Sequence, residues 1–154
     1  MRSYAENTSV SAERSRGEIE ALLRKYGAGR FGYLWEGKSA AIVFEMRNRR
    51  VKFVLPLPDP ADNQFHQTPK GRWLKNPAAA NEKWEQACRS RWRSLVLCIK
   101  AKLESVASEI ETFEEAFLPH IVLPDGSTVG EFIIPQVGDA YSSKKMPPLL
   151  MSAK

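Results

Sequence analysis

Residues 30–57, RFGYLWEGKSAAIVFEMRNRRVKFVLPL, decide the fold. Within Arg30–Glu36, Phe31, Tyr33 and Trp35 alternate with smaller or polar residues. Ala40, Ile42, Phe44 and Met46 do so within Ser39–Met46, and Val51, Phe53, Leu55 and Leu57 within Val51–Leu57. Side chains of a strand point to opposite faces in turn, so each run offers one apolar face. Gly37-Lys38 and Arg47-Asn48-Arg49-Arg50 are connectors short enough for hairpins. The pattern predicts an antiparallel three-stranded meander buried on one face. Pro56, Pro58 and Pro60 end it, because proline has no N–H to give a ladder.

Helical spacing flanks the meander on both sides. Ile19, Leu22, Leu23 and Tyr26 share one helix face, and Gly27 follows as a stop. Ser15 and Glu18 have capping-box spacing, although a start nearer Ser11 is equally compatible. After a long loop at 58–76, Asn76-Pro77 reads as N-cap and first turn of a second helix. Its stripe runs Trp84, Cys88, Trp92, Leu95, Ile99, Leu103, Val106, Ile110, Phe113 and Phe117, with spacings averaging about 3.7 residues. That length exceeds an ordinary helix, and a break is expected near Ala107–Glu111. Ile121–Leu123 and Ser127–Val129 flank the turn signal Pro124-Asp125-Gly126. Thr128 and Glu131 then open a last helix on Val129, Phe132, Ile133, Val137, Ala140 and Tyr141, kinked by Pro135. The expectation is one α+β domain over residues 13–141 in α-β-β-β-α order, between a flexible N-terminus (1–12) and an irregular tail (142–154).

With 154 residues, 43% hydrophobic and 27% charged, the chain has the composition of a globular domain. No apolar run approaches the length of a membrane span, and the N-terminal stretch lacks a signal peptide's apolar core, so a cytoplasmic protein without membrane partners is expected. Cys88 and Cys98 lie about 15 Å apart along a helix, too far to pair, which suits a reducing compartment.

Several patterns resemble chemical sites and lack the context those sites need. Gly27–Gly32 matches G-x-G-x-x-G, but a helix precedes it and a strand follows, the reverse of a dinucleotide site. Asp59, Asp62 and His66 are a sparse donor set on a proline-rich loop. His120 at a helix end is explained by the helix dipole as well as by catalysis. Glu109, Glu111, Glu114 and Glu115 read as a solvated face, with no partner motif for acid–base work. Neither a G-x-S-x-G, a P-loop nor an H-E-x-x-H occurs. The expectation is a non-enzymatic protein without cofactor or metal.

Charge is the informative signal. The net charge is +5, yet residues 24–102 carry seventeen basic and six acidic side chains, and residues 103–154 carry three basic and eight acidic. Such a middle segment attracts a polyanion. Arg47, Arg49 and Arg50 crowd the second hairpin turn, Lys70 and Arg72, with Lys75, sit around Trp73 in the long loop, and Arg89, Arg93 and Lys100 share one side of the second helix. These are the candidate phosphate contacts, with Trp73 the stacking group. Phe31, Tyr33 and Trp35 could also stack bases, but such a row is more often core. The other reading is a protein-interaction module acting on a host or phage protein, or self-associating head to tail between its basic middle and the acidic stretch Glu104–Glu115.

Glu13–Gly37 (ERSRGEIEALLRKYGAGRFGYLWEG), Arg50–Asp59 (RVKFVLPLPD), Trp92–Leu103 (WRSLVLCIKAKL) and Glu111–Gly130 (ETFEEAFLPHIVLPDGSTVG), with MPPLL near the end, resemble a family of small bacteriophage- and prophage-encoded proteins. The resemblance implies a phage setting in the host bacterial cytoplasm and carries over no functional residue. The order of elements is similar to the double-stranded-RNA-binding domain. It departs from that family in opening the second helix with NPAAANEK rather than a basic cluster. It is also similar to the strand-strand-strand-helix core of phage-type single-strand annealing proteins. The expected function is nucleic-acid binding, DNA ahead of RNA, with single-strand binding or annealing in phage recombination or replication.

Overall fold

The structure, a computed structural model, describes residues 5–145. The N-terminal and tail expectations therefore fall partly on residues 1–4 and 146–154, outside the described residues. The chain forms an α+β fold. Helix α1 (Ala12–Lys25) leads into strands β1 (Arg30–Glu36), β2 (Ser39–Met46) and β3 (Arg49–Pro56). Helices α2 (Asn63–His66), α3 (Pro77–Ala107) and α4 (Phe113–Phe117), a 3₁₀ turn (Leu118–His120) and α5 (Val129–Ser143) follow.

The three strands pair antiparallel in sequence order. Their register puts Phe31 beside Phe44 and Val51, Tyr33 beside Ile42 and Phe53, and Trp35 beside Ala40 and Leu55. Helices α1 and α3 cover this face with Ile19 and Leu23 from one, and Trp92, Val96, Ile99 and Leu103 from the other. Trp92 lies 5.6 Å from the Tyr33 ring, and Phe117 of α4 meets Phe44 and Phe53 edge-on at 6.0 and 6.2 Å. Ala40, Ile42, Phe44 and Val51 are sealed, while Trp35 at the open edge is 55% exposed.

The capping residue of α1 is Ser11, whose hydroxyl accepts from the Arg14 N–H at 3.1 Å. Ser15, the other option, is instead buried in the helix. Residues before α1 are tied down: Ala5 is buried, and the Gln86 amide donates to the Glu6 and Thr8 carbonyls. The second hairpin turn is tighter than the four residues expected. Arg47 and Asn48 both have positive φ (50° and 59°), which closes a two-residue turn and draws Arg49 and Arg50 into β3.

Loop 58–76 is more ordered than its composition predicts. Phe65 in α2 is buried, and the Trp84 indole N–H holds the Pro58 carbonyl at 2.8 Å. Gln67 and Trp73 then bridge across a turn at Gly71. The long stripe breaks where expected. Helix α3 ends at Ala107, Glu109 takes a left-handed φ of 57°, and Thr112 with Glu115 forms the capping box of α4. Ile110, counted into the stripe, falls in this break and is exposed, because helical periodicity no longer governs it.

The 121–129 segment adds a short antiparallel rung to the free edge of β3: the Val122 N–H donates to the Arg50 carbonyl at 2.8 Å. Thr128 and Glu131 cap α5 as expected. Its apolar stripe is not buried. Ile134 is 66% and Tyr141 84% exposed, with Phe132 and Val137 also open.

Candidate nucleic-acid interface

The β2–β3 turn and the loops beside it enclose an open cleft of about 770 Å³. Arg47, Arg49 and Arg50 line one side, Gly27 and Gly29 of the α1–β1 loop another, and the Pro124–Gly126 tip a third. The two-residue turn makes this possible, since it leaves Arg47, Arg49 and Arg50 together at one end of the sheet. The Arg47 guanidinium rests 5.7 Å from the Phe113 ring centre, and the Arg49 side chain donates to the Asn48 carbonyl at 3.3 Å. Among the described residues neither forms an ion pair. Arg50 reaches Glu45 at 3.1 Å, while Arg30 approaches the same carboxylate at 3.6 Å. One carboxylate thus serves two guanidinium groups. Exposed pairs of this kind contribute little, and a phosphate that accepts two parallel N–H bonds can replace them. Arg30 is the member that sequence reasoning passed over; its signal was the register that sets it opposite Glu45.

Lys70, Arg72 and Trp73 stand elsewhere. Their loop leaves the other end of the sheet, where the Leu57 N–H donates to the Lys38 carbonyl and Lys38 pairs with Asp59. An eight-residue strand separates the two ends by roughly 25 Å. The Thr68 N–H donates to the Arg72 carbonyl at 2.7 Å, and the Leu74 N–H to that of His66 at 2.8 Å, a small hairpin with Lys70 near its tip. Lys70 and Arg72 are exposed, and Trp73, 65% exposed, touches only the His66 ring at 6.3 Å among ring neighbours.

The helical trio is divided. Arg93 binds Glu18 and clamps α1 to α3, so its charge is used inside the fold. Arg89 chelates the Gln86 side-chain oxygen at 2.7 and 3.1 Å and lies 3.8 Å from Glu85. Lys100 is exposed. Helical angle alone put all three on one side; it could not show that α1 occupies part of that side. Arg47 sits against Phe113, the first residue of α4, which lies within the stretch 104–115.

Asp59, Asp62, His66 and His120 have structural partners. Asp59 is held below the usual carboxylate range by the Lys38 ammonium and the Ala61 N–H. Asp62 accepts from Gln64, and a ring nitrogen of His66 meets the Pro60 carbonyl at 2.9 Å. Among the described residues no group of His, Cys, Asp or Glu is placed to hold a metal ion. His120 does not act as a dipole-stabilised cation: its ring stacks on Phe53 at 3.9 Å, and burial, then Lys102, pushes its pKa down. Burial raises the Cys88 thiol, and both cysteines are free. No helix among the described residues is long and apolar enough to cross a membrane. Compared with known proteins, the chain matches no family model, no curated sequence and no solved structure.

Proposed function

We propose that this chain is a non-enzymatic nucleic-acid-binding protein whose phosphate contacts centre on the β2–β3 turn. One observation carries the reading: Arg47, Arg49 and Arg50 line a single open cleft whose one lining carboxylate, Glu45, is already shared with Arg30. The excess of basic side chains over residues 24–102 supports it, and so does the exposure of Lys70, Arg72 and Lys100 as outlying contacts. Resemblance to phage-encoded proteins supports a role in phage recombination or replication, with DNA ahead of RNA as ligand.

The test is fluorescence anisotropy of labelled single-stranded DNA, duplex DNA and RNA, titrated between about 50 and about 200 mM salt. Affinity falls steeply with salt as condensed counterions are released. The double variant Arg47→Ala/Arg49→Ala weakens binding and reduces the salt slope by about two, one per phosphate contact. Salt-independent affinity, or a slope unmoved by the double variant, excludes the cleft.

A second reading, a protein-interaction module, is favoured by the open stripe of α5, which the chain's own core leaves uncovered.

A further inference from the structure

Three of the chain's four tryptophans meet at one groove, and none of the basic clusters described above explains why. The groove holds about 360 Å³ between the first turns of α1, the end of β1 and the middle of α3. Trp35 forms the exposed wall, and Trp84 and Trp92 line the α3 side. Trp84 is fixed by its indole bond to the Pro58 carbonyl, and Trp92 by its place in the core. Two guanidinium groups border the groove. Arg16 lies 4.8 Å over the Tyr33 ring and 5.6 Å over Trp92, with one N–H on the Tyr33 hydroxyl at 3.0 Å. Arg89 is oriented by Gln86.

Flat aromatic walls with fork-shaped cations at the rim match the two halves of a nucleotide, a π face and a phosphate. The volume lies in the range of small-ligand pockets, and most of the lining is preformed. The carboxylates now paired with the two arginines, Glu13 and Glu85, are themselves at least half exposed, so a phosphate displaces them at little loss. Strand β1 connects this groove to the arginine turn: it starts at Arg30 beside Glu45 and reaches Trp35 five residues later, roughly 17 Å away. Among the described residues its outer edge has no strand partner.

We infer that the Trp35–Trp84 groove receives an unpaired base from a strand whose phosphates lie on the arginine turn, so that the protein prefers single-stranded over duplex nucleic acid. This rests on the function proposed above and moves the stacking group from Trp73 to Trp35. A duplex keeps its bases stacked on one another and cannot fill the groove.

The experiment compares labelled oligothymidylate with a duplex of equal length for the wild type, Trp35→Ala, Trp84→Phe and Trp73→Ala. Trp35 is exposed, so its removal leaves the core intact, and far-UV circular dichroism checks this. Trp35→Ala weakens oligothymidylate binding about tenfold and leaves duplex binding unchanged, the loss expected for one stacked base. Trp84→Phe, which keeps an aromatic wall, loses less. Equal affinity of Trp35→Ala and wild type for oligothymidylate, or the loss appearing in Trp73→Ala instead, overturns the groove while leaving the arginine turn standing. Absence of wild-type binding to either probe overturns both.

Discussion

At residue scale, His120 shows how packing reverses a charge expectation. In the unfolded chain its imidazole titrates near 6.5. In the fold, stacking on Phe53 and the nearby Lys102 ammonium hold it lower, with only a Lys52 backbone contact pulling the other way. Between the two values the unfolded state binds more protons, so stability is full above about 6.5 and falls as pH drops through the folded value. Urea unfolding at pH 7.5 and 5 reads this directly. The wild type loses stability on acidification, and His120→Phe, which keeps a ring on Phe53 and cannot titrate, loses less. An equal loss in both assigns the effect elsewhere. Asp59, Glu115 and Asp125 are all held low, chiefly by bonds from Lys38, Thr112 and Ser127 respectively, so what they contribute is present at neutral pH and is lost only below the ordinary carboxylate range, well under the His120 window.

At the scale of elements, α5 is the weakly held part. Only Gly130 within it is buried, and a Cβ there would stand 2.7 Å from the Pro119 carbonyl oxygen. Close approach of the helix to the 3₁₀ turn therefore requires glycine at this position. Gly130→Ala forces the helix off the turn and costs about 1–3 kcal/mol, the scale of core overpacking. Faster amide exchange in residues 129–143, with exchange in β2 unchanged, is the expected signature. The capping box at Thr128 was readable from sequence because it is a local exchange between two side chains and two backbone groups. The turn at Arg47-Asn48 was not, since register between β2 and β3 decides which of four candidate residues stay outside the ladder.

At the scale of the molecule, the sheet's second face and α5 together expose apolar surface. Leu34 and Val54 are about half exposed on the face away from α1 and α3, and Ile134 and Pro135 border Val54 across a shallow groove. The interaction-module reading predicts self-association that is concentration dependent in sedimentation equilibrium. Ile134→Ser with Tyr141→Ser abolishes it without altering the monomer's circular dichroism. A monomer at all concentrations removes self-association from that reading.

The sequence by itself determined the main elements and their order. Period-two alternation over 30–57, the stripe from Trp84 to Leu103 and the caps at Asn76 and Thr128 are local patterns that depend on near neighbours. It also determined that arginines crowd one turn. Only the tertiary structure decided which charges are free. Arg93 is consumed by Glu18, 75 residues away, and Lys70 and Arg72 are carried to the far end of the sheet from Arg47. Trp35, one of a row that reads as core, stays open at an edge beside Trp84. Each of these outcomes depends on which elements lie side by side, and a contact between distant residues leaves no period or spacing along the chain for a reader of sequence to find.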